Sequence, residues 1–131
     1  MGHYDFSHMT LDANIVIAYL GGEQSGIDLL SQWRAAGSPL FLSTIAEAEV
    51  LCFAGWTTEE RRATEAFLED GFTSIVFDRS IARLAADIRR DTKIKLPDAA
   101  IAATALFTHT PLVTRNQRDF KGVSGLTVLA I

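Results

Sequence analysis

The chain has 131 residues, enough to bury a core without disulfides or structural metals. With 48% hydrophobic and 21% charged residues it is an ordinary globular sequence, and its longest uncharged apolar run, 99–107, is far too short to span a bilayer. One cysteine excludes an internal disulfide and a cysteine-based zinc site, and a net charge of −4 speaks at first sight against nucleic acid as a partner.

The first eight residues, which end Ser7-His8 and run into Met9 as a Ser-His-Met junction, look like an expression-tag remnant with Met9 as the native start, which leaves 9–131 as one domain and His109 as the only native histidine. No basic n-region followed by an apolar stretch is present, so a cytoplasmic location with no membrane contact is expected. Thr10 and Leu11 read as a short strand, followed by a helix from Asn14 to Leu20 that Gly21-Gly22 stops. Glu23 to Ala36 is a second helix, Leu40 to Leu42 a buried strand, and Thr44 to Ala54 a third helix closed by Gly55. Thr57-Thr-Glu-Glu60 has the spacing of a capping box and opens a helix to about Asp70. Thr73 to Phe77 is a strand, and Asp78 caps a helix to about Thr92. Pro97 marks the boundary before a helix from Asp98 to Thr108, and Pro111 to Thr114 and Leu126 to Ala130 are the last strands. Cys52 reads as a small apolar core residue and His109 as a dipole partner at a helix C-terminus. Short apolar strands alternating with helices indicate an α/β fold, a parallel sheet covered on both faces.

Four acids are hard to place structurally: Asp12, Glu49, Asp98 and Asp119. Asp12 and Asp119 fall at or after strand ends, where ligands gather in open parallel sheets. Asp98 stands at a helix N-terminus, which favours its anionic form. The neighbours of Glu49 three and four residues away are Ile45, Ala46, Cys52 and Phe53, all apolar, so the periodicity puts Glu49 on the core-facing stripe and favours it over Glu47. Buried carboxylates are tolerated chiefly when a cation offsets them, and oxygen donors without Cys or His select Mg²⁺ or Mn²⁺. Such ions could activate water and stabilise the leaving oxygen of an in-line displacement, which makes a metal-dependent phosphodiesterase or nuclease the leading class. Asn14, Thr114 and Asn116 would orient the acids or face a phosphate. Setting the four acids apart leaves as many acids as lysines and arginines. The bases are clustered, with Arg89, Arg90, Lys93 and Lys95 before Asp98 and with Arg115, Arg118 and Lys121 around Asp119.

The segments Leu11-Asp-Ala-Asn-Ile-Val-Ile17, Ser43-Thr-Ile-Ala-Glu-Ala-Glu49, Pro97-Asp-Ala-Ala-Ile-Ala-Ala-Thr-Ala105 and Thr114-Arg-Asn-Gln-Arg-Asp-Phe120 resemble, in order and spacing, the four motifs of the PIN domain family. The likeness is strongest to the VapC-type toxins of bacterial toxin–antitoxin pairs. It implies a three-layer α/β/α domain with a parallel sheet of about five strands. It also implies Mg²⁺-dependent endoribonuclease activity, an RNA substrate, a cognate antitoxin and a homodimer. Asp12, Glu49 and Asp98 match the family's three main acids. In the fourth motif acids occur at positions matching either Asn116 or Asp119, and here the role goes to Asp119. Ala13 stands where the family often has Thr or Ser, which should cost one hydrogen bond near Asp12.

Two other readings compete. A binding or regulatory domain that has lost catalysis would have no reason to retain four such acids, whose desolvation would act unopposed. A phosphoacceptor receiver domain needs paired acids after its first strand, where this chain has Asp12 followed by Ala13. Large apolar residues at Ile27, Leu30, Trp33 and 53–56 fit either the core or an exposed groove for an antitoxin helix.

Overall fold

A computed structural model describes residues 8–131; the first seven residues of the expected tag remnant lie outside the described residues. Five short strands, β1 (Met9–Leu11), β2 (Leu40–Ser43), β3 (Thr73–Ile75), β4 (Leu112–Thr114) and β5 (Val128–Ala130), form one sheet in the order β3-β2-β1-β4-β5. Every neighbouring pair is parallel, with Thr10 opposite Phe41 on one side and Leu112 on the other. Parallel strands need crossovers, and helices supply them: α1 (Ala13–Leu20), α2 (Gln24–Ala35), α3 (Thr44–Leu51), α4 (Thr58–Gly71), α5 (Arg79–Thr92) and α6 (Leu96–Thr108). Among the described residues, no helix is long and apolar enough to cross a membrane.

Strands β1, β2 and β4 are buried almost throughout, as expected of a sheet covered on both faces. Helix α6 lies closest to the core. All seven residues from Ala99 to Ala105 are buried, and five of them are alanines, which lets the helix backbone approach the sheet. Against it packs α5, which shows only Ile81, Ala85 and Ile88 to the interior, one stripe of an otherwise polar helix. The Thr57–Glu60 capping box forms as the spacing implies, and the Asp78 carboxylate accepts from the Ile81 amide at 3.0 Å.

Three sequence expectations shift. Helix α3 ends at Leu51, three residues early, with Cys52 as its cap. Cys52 is exposed and not a core residue, its Sγ donating to the Glu49 carbonyl at 3.2 Å. Helix α6 begins at Leu96, so Pro97 sits inside the first turn, where its missing N–H costs nothing, and Asp98 lies in that turn and not at its start. His109 does close α6, as a left-handed cap with φ 55°.

The chain order β1, β2, β3 runs outward on one side, then β4 returns to the other side of β1. The reversal opens a crevice beyond the C-terminal ends of β1 and β4, where open parallel sheets bind ligands.

Candidate active site at the strand ends

Asp12 is the first residue after β1 and is only 6% exposed. Its Oδ2 accepts from the Thr114 hydroxyl at 2.8 Å and from the Asn14 amide nitrogen at 3.3 Å. Thr114 ends β4 and is fully buried. Its oxygen also accepts from the Asn14 amide at 3.3 Å and from the Asn116 backbone N–H at 3.0 Å, while Asn14 Oδ1 accepts from the Arg115 N–H at 3.3 Å. The parallel pairing of β1 with β4 thus ties two motifs about a hundred residues apart into one network around a single carboxylate. Asn14 and Thr114 take part through their side chains, as expected; Asn116 takes part through its backbone and not as an orienting amide.

Burial pushes the Asp12 carboxyl above its ordinary value, and the charges of Asp98 and Asp119 push it further. The Thr114 hydroxyl and the Ala13 backbone N–H pull the other way. Where Ser or Thr is common in the related motif, this alanine still contributes through its amide. Asp98, half-buried in the first turn of α6, is raised by burial and by Asp119, with Lys95 one turn before it opposing. Of the bases expected before Asp98, Lys95 is thus the one that meets it. Arg90 pairs with Asp87 and Asp91, and Arg89 donates to the Ile94 carbonyl at 2.7 Å.

Glu49 corrects the periodicity argument. Helix α3 buries Ala46 and Val50, and Glu49 is exposed, because its apolar neighbours Cys52 and Phe53 are themselves outside the core. The residue is open to solvent, yet partial burial of its carboxyl, followed by the charges of Asp12 and Asp98, raises it. Its claim to the site rests on those neighbours and not on core burial. Asp119 is exposed on the 3-10 helix Gln117–Phe120, which Phe120 anchors in the core. Asp12 thus feels the charges of Asp98 and Asp119, and Glu49 those of Asp12 and Asp98, while Glu49 and Asp119 line separate cavities on either side.

Sequence reading missed one further element. Glu23, just after the Gly21-Gly22 turn, takes a 2.6 Å ion pair from Arg115 and so holds the start of the loop that carries Asp119. Nothing local in the sequence signals a contact of 92 residues' separation. An apolar groove of about 550 Å³ also opens beside Glu49, lined by Ile17, Leu20, Val50, Phe53 and Trp56. Of the residues that fitted either the core or a groove, Leu30 is fully buried and Ile27 and Trp33 are half-buried, whereas Phe53 and Trp56 line this groove.

The chain matches the PIN domain family over residues 9–126. No curated protein matches it. Among solved structures it resembles a toxin–antitoxin complex from Klebsiella pneumoniae, with 32% identity, a TM-score of 0.77 and coverage of 93% of this chain and 96% of the other. It also shares its fold with VapBC2 from Rickettsia felis, solved bound to a promoter DNA fragment, at 20% identity, TM-score 0.79 and coverage of 95% and 98%. VapBC-1 from nontypeable Haemophilus influenzae shows the same fold at 24% identity, TM-score 0.77 and coverage of 94% and 97%. The chain belongs to the PIN domain family.

Proposed function

We propose that residues 9–131 form a divalent-cation-dependent endoribonuclease, the toxin of a toxin–antitoxin pair. The observation that carries this reading is that Asp12, buried at the end of β1, lies within reach of the opposing charges of Asp98 and Asp119, and Glu49 within reach of those of Asp12 and Asp98. Such a group is costly unless a cation joins it.

The donor set fits a hard cation: carboxylate oxygens, with neither His nor Cys among the four. Among the described residues, no three His, Cys, Asp or Glu side chains stand close enough together to chelate an ion directly. An ion there would have to keep several waters and reach part of the set through them, as Mg²⁺ commonly does, with Mn²⁺ as its substitute. Asp12, Asp98, Glu49 and Asp119 would hold it, and when bound it would supply charge stabilisation at a phosphoryl group and an acidified water.

The chain's own groups have separable tasks. Thr114 and Asn14 fix the Asp12 carboxylate in one orientation. Glu49, raised and reachable by solvent, would take a proton from an attacking water. Arg115 and Arg118 stand beside Asp119, where their guanidinium groups would meet RNA phosphates.

The toxin reading draws on the complexes that the chain resembles and on the groove beside Glu49. An antitoxin helix seated on Ile17, Phe53 and Trp56 would bring a basic side chain within reach of the acids. A homodimer acting in the cytoplasm completes the reading. The test is direct. Purified protein should cleave single-stranded RNA in Mg²⁺ or Mn²⁺ and not in EDTA, and a neighbouring-gene antitoxin should stop it. RNA left intact with both cations would overturn the reading.

A further inference from the structure

The crevice has two unlike flanks. Strand β1, carrying Asp12, is the middle of the sheet; β2 leads on one side to Glu49 and β4 on the other to Asp119. Glu49 heads the apolar groove. Asp119 instead lines a basin of about 940 Å³ between the 3-10 helix and β5. Its lining combines the cations Arg115, Arg118 and Lys121 with the apolar Val123, Leu126 and Val128.

The spacing of those cations follows from the backbone. Side chains three residues apart eclipse on a 3-10 helix, which rises about 2 Å per residue. Arg118 and Lys121 therefore line one edge of the turn, about 6 Å apart along its axis. Neither is paired with a carboxylate among the described residues. Arg115 precedes them, held through one nitrogen by Glu23 with its other donors left over. A row of cations beside apolar side chains has the chemistry of a single-strand track, phosphates along the cations and base faces against the apolar lining. The opposite flank, apolar and headed by a carboxylate, offers a polyanion nothing.

We propose that the basin between the 3-10 helix and β5 holds one flank of a single-stranded RNA, so that the substrate is gripped on one side of the cut only. This deepens the nuclease reading and names Lys121 as a substrate-binding residue.

Two measurements test it. The first needs no catalysis: binding of a labelled single-stranded RNA oligonucleotide in EDTA, followed across a salt series. Lys121→Glu should weaken binding about tenfold, with a log–log salt slope flatter by about 0.7 per lost phosphate contact, while Arg62→Glu on α4 should change neither. Unchanged binding in Lys121→Glu would overturn the proposal even if the protein cleaves RNA. Retained effects in a protein that never cleaves would leave the basin standing and remove the nuclease reading. The second takes an RNA with a mapped cut and trims it from either end. Trimming one side should lower kcat/KM severalfold per nucleotide over the first few, trimming the other should do little, and Lys121→Glu should erase the dependence on the sensitive side. Equal sensitivity to both sides would refute the one-sided grip. So would loss of antitoxin binding in Lys121→Glu with RNA binding intact, which would assign the basin to the protein partner.

Discussion

Thr114→Val removes one hydroxyl from the base of the crevice and almost nothing else. The side chain is fully buried at the end of β4, and valine matches its shape and its preference for a strand. What is lost is the 2.8 Å bond to Asp12 Oδ2. A hydrogen bond to a charged group is worth about 1.5–3 kcal/mol, and the added methyl returns at most about 0.8 kcal/mol. The Asn116 N–H and the Asn14 amide also lose an acceptor, but Asn116 is exposed and water can replace it, and the Asn14 amide keeps Asp12 Oδ2. The net cost at about pH 7 is then of order 2 kcal/mol, a Tm lower by roughly 6–12 °C for a chain of this size. The pH dependence identifies the cause. The hydroxyl pulls the Asp12 carboxyl down, so its stabilisation exists while Asp12 is ionised and declines as pH falls through the folded-state value. At a pH below that folded-state value the bond joins neutral groups and the cost should shrink to about 1 kcal/mol. Urea unfolding in EDTA at both pH values measures this, with Thr114→Ser expected to recover most of the loss. A cost below about 0.5 kcal/mol, or one equal at both pH values, would refute the assignment of Thr114 as the group that holds Asp12.

Asp98→Asn should abolish RNA cleavage and weaken Mg²⁺ binding while the metal-free Tm holds or rises, because one charge leaves a mutually repelling set; full Mg²⁺-dependent activity in this variant would rule out the site. The carboxyls of Asp12, Glu49 and Asp98 all lie above their ordinary values of 3.8, 4.5 and 3.8, so the folded chain holds more protons than the unfolded chain just above that range. Metal-free stability, measured against Asp98→Asn, should therefore fall as pH rises through that window and then level off, with saturating Mg²⁺ flattening the fall; unfolding midpoints that climb over the same window relative to the variant would contradict the mutual repulsion. Phe53→Glu alters an exposed ring, 60% accessible and edge-on to Trp56 at 5.2 Å, so it should cost the isolated protein at most about 1 kcal/mol yet prevent copurification with the antitoxin. Undiminished copurification would place the antitoxin elsewhere.

The parts legible in the sequence are those governed by local pattern. Four of the five strands announce themselves as short apolar runs, the exception being β3 with its Thr-Ser-Ile, and Gly21-Gly22, the Thr57–Glu60 box and Asp78 mark helix ends through local hydrogen bonding. Boundaries moved where local signals compete, as at Pro97, which can precede a helix or occupy its first turn. The acids Asp12 and Asp119 could be placed because strand ends are where a parallel sheet exposes its ligands. Glu49 shows where periodicity fails. A stripe of apolar neighbours implies the core only if the core lies on that side, and here Phe53 and Cys52 border an open groove. Contacts such as Glu23 with Arg115, and Thr114 with Asp12, depend on which strands become neighbours and have no local trace.

Direct titration of Mn²⁺ into the metal-free protein, read by calorimetry and by the electron spin resonance of free Mn²⁺, tests the central claim without reference to RNA. Saturable binding, lost or greatly weakened in both Asp12→Asn and Asp98→Asn and weakened as pH falls through the raised carboxyl range, is the expected result. Absence of binding to the wild-type protein, or binding that both variants retain unchanged, would contradict it.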